Sequence, residues 1–228
     1  MIIDMHMHEM RYSGDSFLRL ENMVEIAKRR GLDGICITDH DSMGLKEFAA
    51  EYSEKTEFPI FVGIEFYSLQ GDIVAFGIED YPKERIPAQE FVDLVQAQGG
   101  MCFSAHPFRN NNRGLEENLK IVKGLDGIEV LNGSTLYEAN RKAAEYAAEL
   151  GLATVGSSDC HVPEKLGIYA TYFPREIRSV QELIRSVKRC ETLPVYYKEG
   201  GYYLWDMKNP KKQFFHVHLC TLRSLTFT

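Results

Sequence analysis

The sequence has no long apolar run, no paired-cysteine spacing and no basic stripe, and each absence narrows the field. A helix crossing a membrane needs about 20 consecutive apolar residues. Here Asp4, His6, His8 and Glu9 interrupt even the first ten positions, so neither a signal peptide nor a membrane span is read. The expectation is a soluble, cytoplasmic protein with no membrane partner. Five cysteines (Cys36, Cys102, Cys160, Cys190, Cys220) are odd in number and far apart, which argues against a disulfide framework and against a cysteine-built zinc site. The net charge of −7 argues against a grip on long nucleic acid, because such binders neutralise phosphates with lysine and arginine. With no linker, repeat or low-complexity segment, one domain is expected over residues 1–228, with a core over 1–190 and a C-terminal extension over 191–228.

What is present is alternation. Strand-like runs at 2–7, 33–39, 59–68, 101–105, 126–132, 153–158 and 168–173 take turns with helical patterns at 16–30, 43–54, 87–98, 115–123, 136–150 and 177–189. "VQELIRSVKRC" places Val180, Leu183, Ile184 and Val187 on one helix face. Strands joined by helices run parallel, because each crossover returns the chain in the same direction. Seven such units predict an α/β fold, a seven-stranded βα barrel. "SLQGDIVAFGI" (68–78) reads as an inserted hairpin turning at Gly71–Asp72, and "LPVYYKEGGYYLWDM" reads as a hairpin outside the barrel.

The chain has seven histidines, and five stand at the carboxyl ends of predicted strands: His6 and His8, His40, His106 and His161. Glu65 and Asp159 end strands too. Strand ends of parallel α/β folds converge on one mouth. Imidazoles and carboxylates gathered there without a cation would suffer desolvation and like-charge repulsion. Divalent ions remove both penalties. His216 and His218 repeat the alternate spacing in "FHVHL" without an accompanying acid, so they are read as non-ligands.

In chain order, "DMHMH", "TDHD", "GIEF", "AHPFR", "GIEVLNG" and "GSSDCHVPEKLG" resemble the PHP (polymerase and histidinol phosphatase) family of metal-dependent phosphoesterases. The resemblance covers residues 2 to about 173 and implies a distorted seven-stranded barrel with two or three divalent ions. Carried over by motif, one ion takes His6, His8, Glu65 and Asp159; a second shares Glu65 and adds His106; a third takes Asp15, His40 and His161. Asp4 and Asp39 are expected to orient ligand imidazoles. Many relatives would carry a histidine seven residues after the shared glutamate, where this chain has Asp72. Asp72 is then either a ligand, favouring Mn²⁺, Fe²⁺ or Mg²⁺ over zinc, or a hairpin-turn residue.

The chemistry implied is hydrolysis by a metal-bridged hydroxide, with Asp159 and His161 at the reacting centre. Arg109 is the candidate phosphate clamp, and Lys165 a weaker one. Cys160 is read as packing, and Gly156 and Ser157 as letting the backbone approach the metals. The leading expectation is a phosphatase for a small phosphomonoester. The alternatives are a nuclease or phosphodiesterase, and a metal-binding regulatory module without turnover.

Overall fold

The structure, a computed structural model, describes residues 1–206. His216, His218, Cys220 and the end of the expected C-terminal extension lie outside the described residues. The strands are β1 Ile2–Asp4, β2 Gly34–Ile37, β3 Ile60–Val62, β4 Ile64–Tyr67, β5 Asp72–Phe76, β6 Met101–Ser104, β7 Gly127–Asn132, β8 Ala153–Ser157, β9 Tyr169–Tyr172, β10 Leu193–Lys198 and β11 Gly201–Leu204. The helices are α1 Leu20–Arg30, α2 Lys46–Thr56, α3 Ala88–Ala97, α4 Tyr137–Leu150 and α5 Val180–Lys188.

Local chemistry explains the helices. Leu20, Met23, Val24 and Ala27 form the buried stripe of α1, and Gly31 ends it at φ 74° with its N–H on Ala27 and Lys28 carbonyls. Residues 16–19, expected to be helical, are drawn into a loop instead, where the Ser16 hydroxyl donates to the His8 carbonyl at 2.7 Å. Ser179 caps α5 by accepting the Glu182 N–H. The predicted helix at 115–123 is a single 3₁₀ stretch, Glu116–Lys120.

The expected barrel does not close. The strands form a six-stranded sheet in the order β11-β10-β9-β1-β2-β3 and a five-stranded sheet in the order β4-β5-β6-β7-β8. Two seams separate them. At the first, the single run predicted over 59–68 breaks at Gly63, so β3 stays beside β2 while β4 turns to pair antiparallel with β5. Gly63 is needed there because a Cβ would collide with the Ala75 carbonyl. At the second seam, side chains replace the ladder between β8 and β9. The Thr171 hydroxyl accepts the Gly156 N–H at 3.0 Å and donates to the Gly156 carbonyl at 2.7 Å. The all-parallel expectation also fails, since β5 runs antiparallel to β6 and β9 antiparallel to β1.

Both hairpins differ from expectation: one turns over Ser68–Gly71 between β4 and β5, with Asp72 already in the strand, and the other, β10–β11, extends the six-stranded sheet through β9 instead of lying outside it. Between the inner faces of the sheets lie Ile3, Met5, Cys36, Val74, Phe76, Phe103, Val155 and Phe173, all buried. Two further apolar clusters fill the space between strands and helices. Beyond the ladders, two isolated parallel bridges tie the sheets together, Met7 to Cys160 and His40 to Glu65. Both lie at the candidate site. No helix among the described residues is long and apolar enough to cross a membrane.

Candidate metal centre

Six segments deliver the side chains. His6 and His8 follow β1, Asp15 lies in the next loop, His40 follows β2, Glu65 is on β4, His106 follows β6, and Asp159 and His161 follow β8. His106 and Asp159 occupy left-handed backbone at φ 28° and 48°, uncommon for residues other than glycine. The chain bends sharply at both to turn these side chains inward.

Glu65 is the centre of the cluster. Its oxygens lie 3.3 Å from His6 Nε2, 3.6 Å from His8 Nε2, 2.6 Å from His40 Nδ1 and 2.8 Å from His106 Nε2. Asp159 Oδ1 lies 3.2 Å from His8 Nε2, 3.7 Å from His6 Nε2 and 3.8 Å from His161 Nδ1. Asp15 Oδ2 faces both outer rings, 3.4 Å from His40 Nε2 and 3.3 Å from His161 Nε2. His6, His8, Glu65, His106 and Asp159 are buried, whereas Asp15 is exposed.

Among the described residues, four overlapping triads have ligand-type atoms within 4.8 Å of one another: His6–His8–Glu65, His6–His106–Asp159, Glu65–Asp72–His106 and His8–His40–His161. His6 Nε2 and His8 Nε2 stand only 3.1 Å apart. His40 Nδ1 and Glu65 Oε2 approach without hydrogen-bonding geometry and have no such partner elsewhere. A buried cage of acceptors needs positive charge at its centre, from protons or from a cation. These donors suit borderline and hard divalent ions.

The electrostatics show the same need. Burial alone would push the His6 ring down, but Asp159, Glu65 and Glu129 outweigh it and hold it well above the ordinary imidazole value. His40 is raised to about 9, since Glu65 and Asp15 overcome its burial. Burial, with the charge of His6 beside it, lowers His8 to about 4. Glu65 and Asp159 are held well below the usual carboxylate range because neighbouring imidazoles, His6 foremost, overcome their burial.

Comparisons with known proteins bear on the fold and on part of the sequence. The family model for the PHP-associated C-terminal region matches residues 137–192, from the start of α4 to the residue before β10. That matched region is a PHP-associated one, in keeping with the family that the motifs resemble. Two uncharacterized proteins of Methanocaldococcus jannaschii are similar, one 27% identical over 57% of this chain and 80% of its own length. The other is 24% identical over 73% of this chain and 68% of its own. Among solved structures, a protein of Bifidobacterium adolescentis provisionally named a metal-dependent phosphoesterase matches with TM-score 0.60 and 19% identity, over 71% of this chain and 88% of that one. An amidohydrolase of Chromobacterium violaceum matches with TM-score 0.63 and 20% identity, over 81% and 96%. A lesion-specific endonuclease of Pyrococcus furiosus matches with TM-score 0.62 and 17% identity, over 82% and 56%. At these identities the likeness to solved structures is one of fold.

Against the PHP pattern, the individual expectations fare unevenly. Both Asp72 oxygens take the Arg113 guanidinium, at 2.6 and 3.0 Å, while Oδ2 also lies 3.6 Å from His106 Nε2. Asp72 therefore faces the centre, but with an arginine already upon it. Burial and the nearby Glu65 charge raise it to about 6. Asp4 orients no ring; its oxygens accept the backbone N–H groups of Ser158 and Gly167. Asp39 reaches His8 only through the Ser13 hydroxyl. Gly156 serves the seam, not the centre, since a Cβ there would stand 2.5 Å from the Ala170 carbonyl. Cys160 packs in the core, as expected.

Arg109 lies over the centre with Nη2 on Asp159 Oδ2 and on Asn132 Oδ1. Lys165 reaches the Ser134 hydroxyl at 3.1 Å. Sequence reasoning missed Glu129, Ser13 and Asn132. Glu129 had a readable signal, a lone acid between apolar residues in "GIEVL", because a buried charge is kept only with partners.

Proposed function

We propose that this chain is a PHP-type, divalent-metal-dependent hydrolase of phosphate esters, acting on a small phosphomonoester such as a nucleotide or phosphometabolite. The observation that carries the reading is the set of four overlapping triads around Glu65 and Asp159. His6, His8, Glu65 and Asp159 would hold one ion, and Glu65 and His106, with Asp72 beside them, a second. Asp15, His40 and His161 would hold a third. With Asp72 as a donor, the second site would be oxygen-rich and would favour Mn²⁺, Fe²⁺ or Mg²⁺ over zinc. Bound divalent ions supply an acidified water near neutral pH and neutralise charge on a phosphoryl group.

The chain's own groups do the rest. Glu65, facing four imidazoles, would be shared between neighbouring ions. Arg109, held by Asn132 at 2.6 Å, presents a fixed positive charge beside Asp159 for a phosphoryl oxygen. No serine, threonine or cysteine is needed as nucleophile, and burial raises the Cys160 thiol well above its usual value, which keeps it inert.

The likeness to a lesion-specific endonuclease favours a second reading, cleavage of phosphodiesters in short nucleic acid. The net charge of −7 weighs against it. The test compares an aryl phosphate with its bis-aryl diester, with Mn²⁺ and then with chelator. Metal-dependent turnover of the monoester alone supports the phosphatase. Faster diester turnover supports the second reading. Metal bound with no turnover of either overturns both and leaves a regulatory module.

A further inference from the structure

β7 offers no ligand candidate, yet its Glu129 is fully buried and bonded to three other segments of the site. Oε2 accepts the His106 backbone N–H at 2.7 Å and the Asn132 amide at 2.9 Å. Oε1 accepts the Ser157 hydroxyl and faces His6 Nδ1 at 3.3 Å. A carboxylate ringed by donors stays ionised and accepts only. His6 Nδ1 can meet it only as a donor. A hydrogen therefore belongs on Nδ1, which leaves Nε2, facing Glu65 and Asp159, as the nitrogen that would give up any proton to an ion.

A second chain of bonds repeats the logic. The Ser13 hydroxyl gives its only proton to Asp39 Oδ1 at 2.7 Å. Toward His8 Nδ1, 3.2 Å away, and toward the His40 backbone N–H, at 3.3 Å, Ser13 can only accept. His8 thus also carries hydrogen on Nδ1 and turns Nε2 to Asp159 and Glu65.

We infer that Glu129 and the Asp39–Ser13 pair are positioning groups that fix the ring forms of His6 and His8, one carboxylate acting directly and the other through a hydroxyl. The consequence for metal affinity rests on the proposed metal reading, but the ring forms themselves do not. Glu129→Gln puts an NH₂ where every neighbour donates; Ser13→Ala cuts the relay from Asp39.

The experiment reads histidine ring N–H resonances of the Zn²⁺-loaded, diamagnetic protein, and Mn²⁺ and Zn²⁺ affinity by competition with a chromophoric chelator. Each variant should weaken affinity about 10–100-fold, the range for losing such a partner. Glu129→Gln should release the His6 ring proton to solvent exchange while His8 keeps its own, and Ser13→Ala should do the reverse. That reciprocity separates ring positioning from general loosening. Both ring protons surviving in both variants, or both lost together, overturns the inference. If Glu129→Gln does not fold, Ser13→Ala still decides for the relay. If the wild type takes up neither ion, the phosphoesterase reading falls, and the same resonances in the metal-free protein still decide the ring forms.

Discussion

Metal binding should tighten steeply as pH rises above neutrality. The perturbation is a shift from pH 7.5 to 9, and His40 sets its size. Its Nδ1 faces Glu65 Oε2 at 2.6 Å and its Nε2 faces Asp15 Oδ2 at 3.4 Å, and the ring can hold an ion only after a proton leaves. Burial favours that loss, but Glu65 and Asp15 outweigh it and raise the ring to about 9. At pH 7.5 the gap is about 1.5 pH units, so freeing the ring costs about 2 kcal/mol, an affinity loss of about 30-fold that disappears near pH 9. The sign is that of any raised imidazole: protons are held below the folded value, and a cation competes with them there. His6 is raised as well and adds in the same direction. His8, lowered to about 4, has no proton to give in this window. Titration calorimetry with Mn²⁺ under argon, in two buffers of different ionisation heat, counts the protons. At pH 7.5, protons from His6 and His40 should be released, and His40→Asn should remove one of them. Affinity that is flat between pH 7.5 and 9, with no buffer-dependent heat, would refute the reasoning.

Asp159→Asn should lose metal at the buried centre and lower turnover at least about 100-fold, because one cage oxygen becomes an amide; elemental analysis and a rate assay read both. Arg109→Ala should raise KM for an aryl phosphate with metal content retained, as expected of a phosphate clamp; a lower metal count with unchanged KM would recast it as a support for Asp159. Gly156→Ala should destabilise the fold by about 1–3 kcal/mol, because its methyl would stand 2.5 Å from a backbone carbonyl on β9. Thermal unfolding reads that change as several degrees.

The gathering of the candidate side chains was more legible than the architecture, and for a physical reason. Five of the candidates are histidines that follow short strands, so each is announced by its own local motif, as in "DMHMH" or "AHPFR". Their convergence follows from strand direction alone. The seams depend on contacts that no local pattern carries. Thr171 replaces a ladder through a hydroxyl bonded to Gly156, 15 residues away. Gly63 breaks a run whose β-branched and aromatic residues read as one strand. The Asp72–Arg113 pair joins residues 41 apart, and neither partner marks the other in the sequence. Ser13 sits in a polar loop where any serine would pass unnoticed.

The open seam between β3 and β4 has a mechanical consequence. His6, His8 and His40 extend from one sheet, while Glu65, His106 and Asp159 extend from the other. An ion caged among them would act as a clasp across the molecule, resisting any force that pries the halves apart. Its grip would grow with the free ion concentration, as for any ligand bound only by the folded form. Starving the protein of metal should then loosen its hinge line before its cores melt.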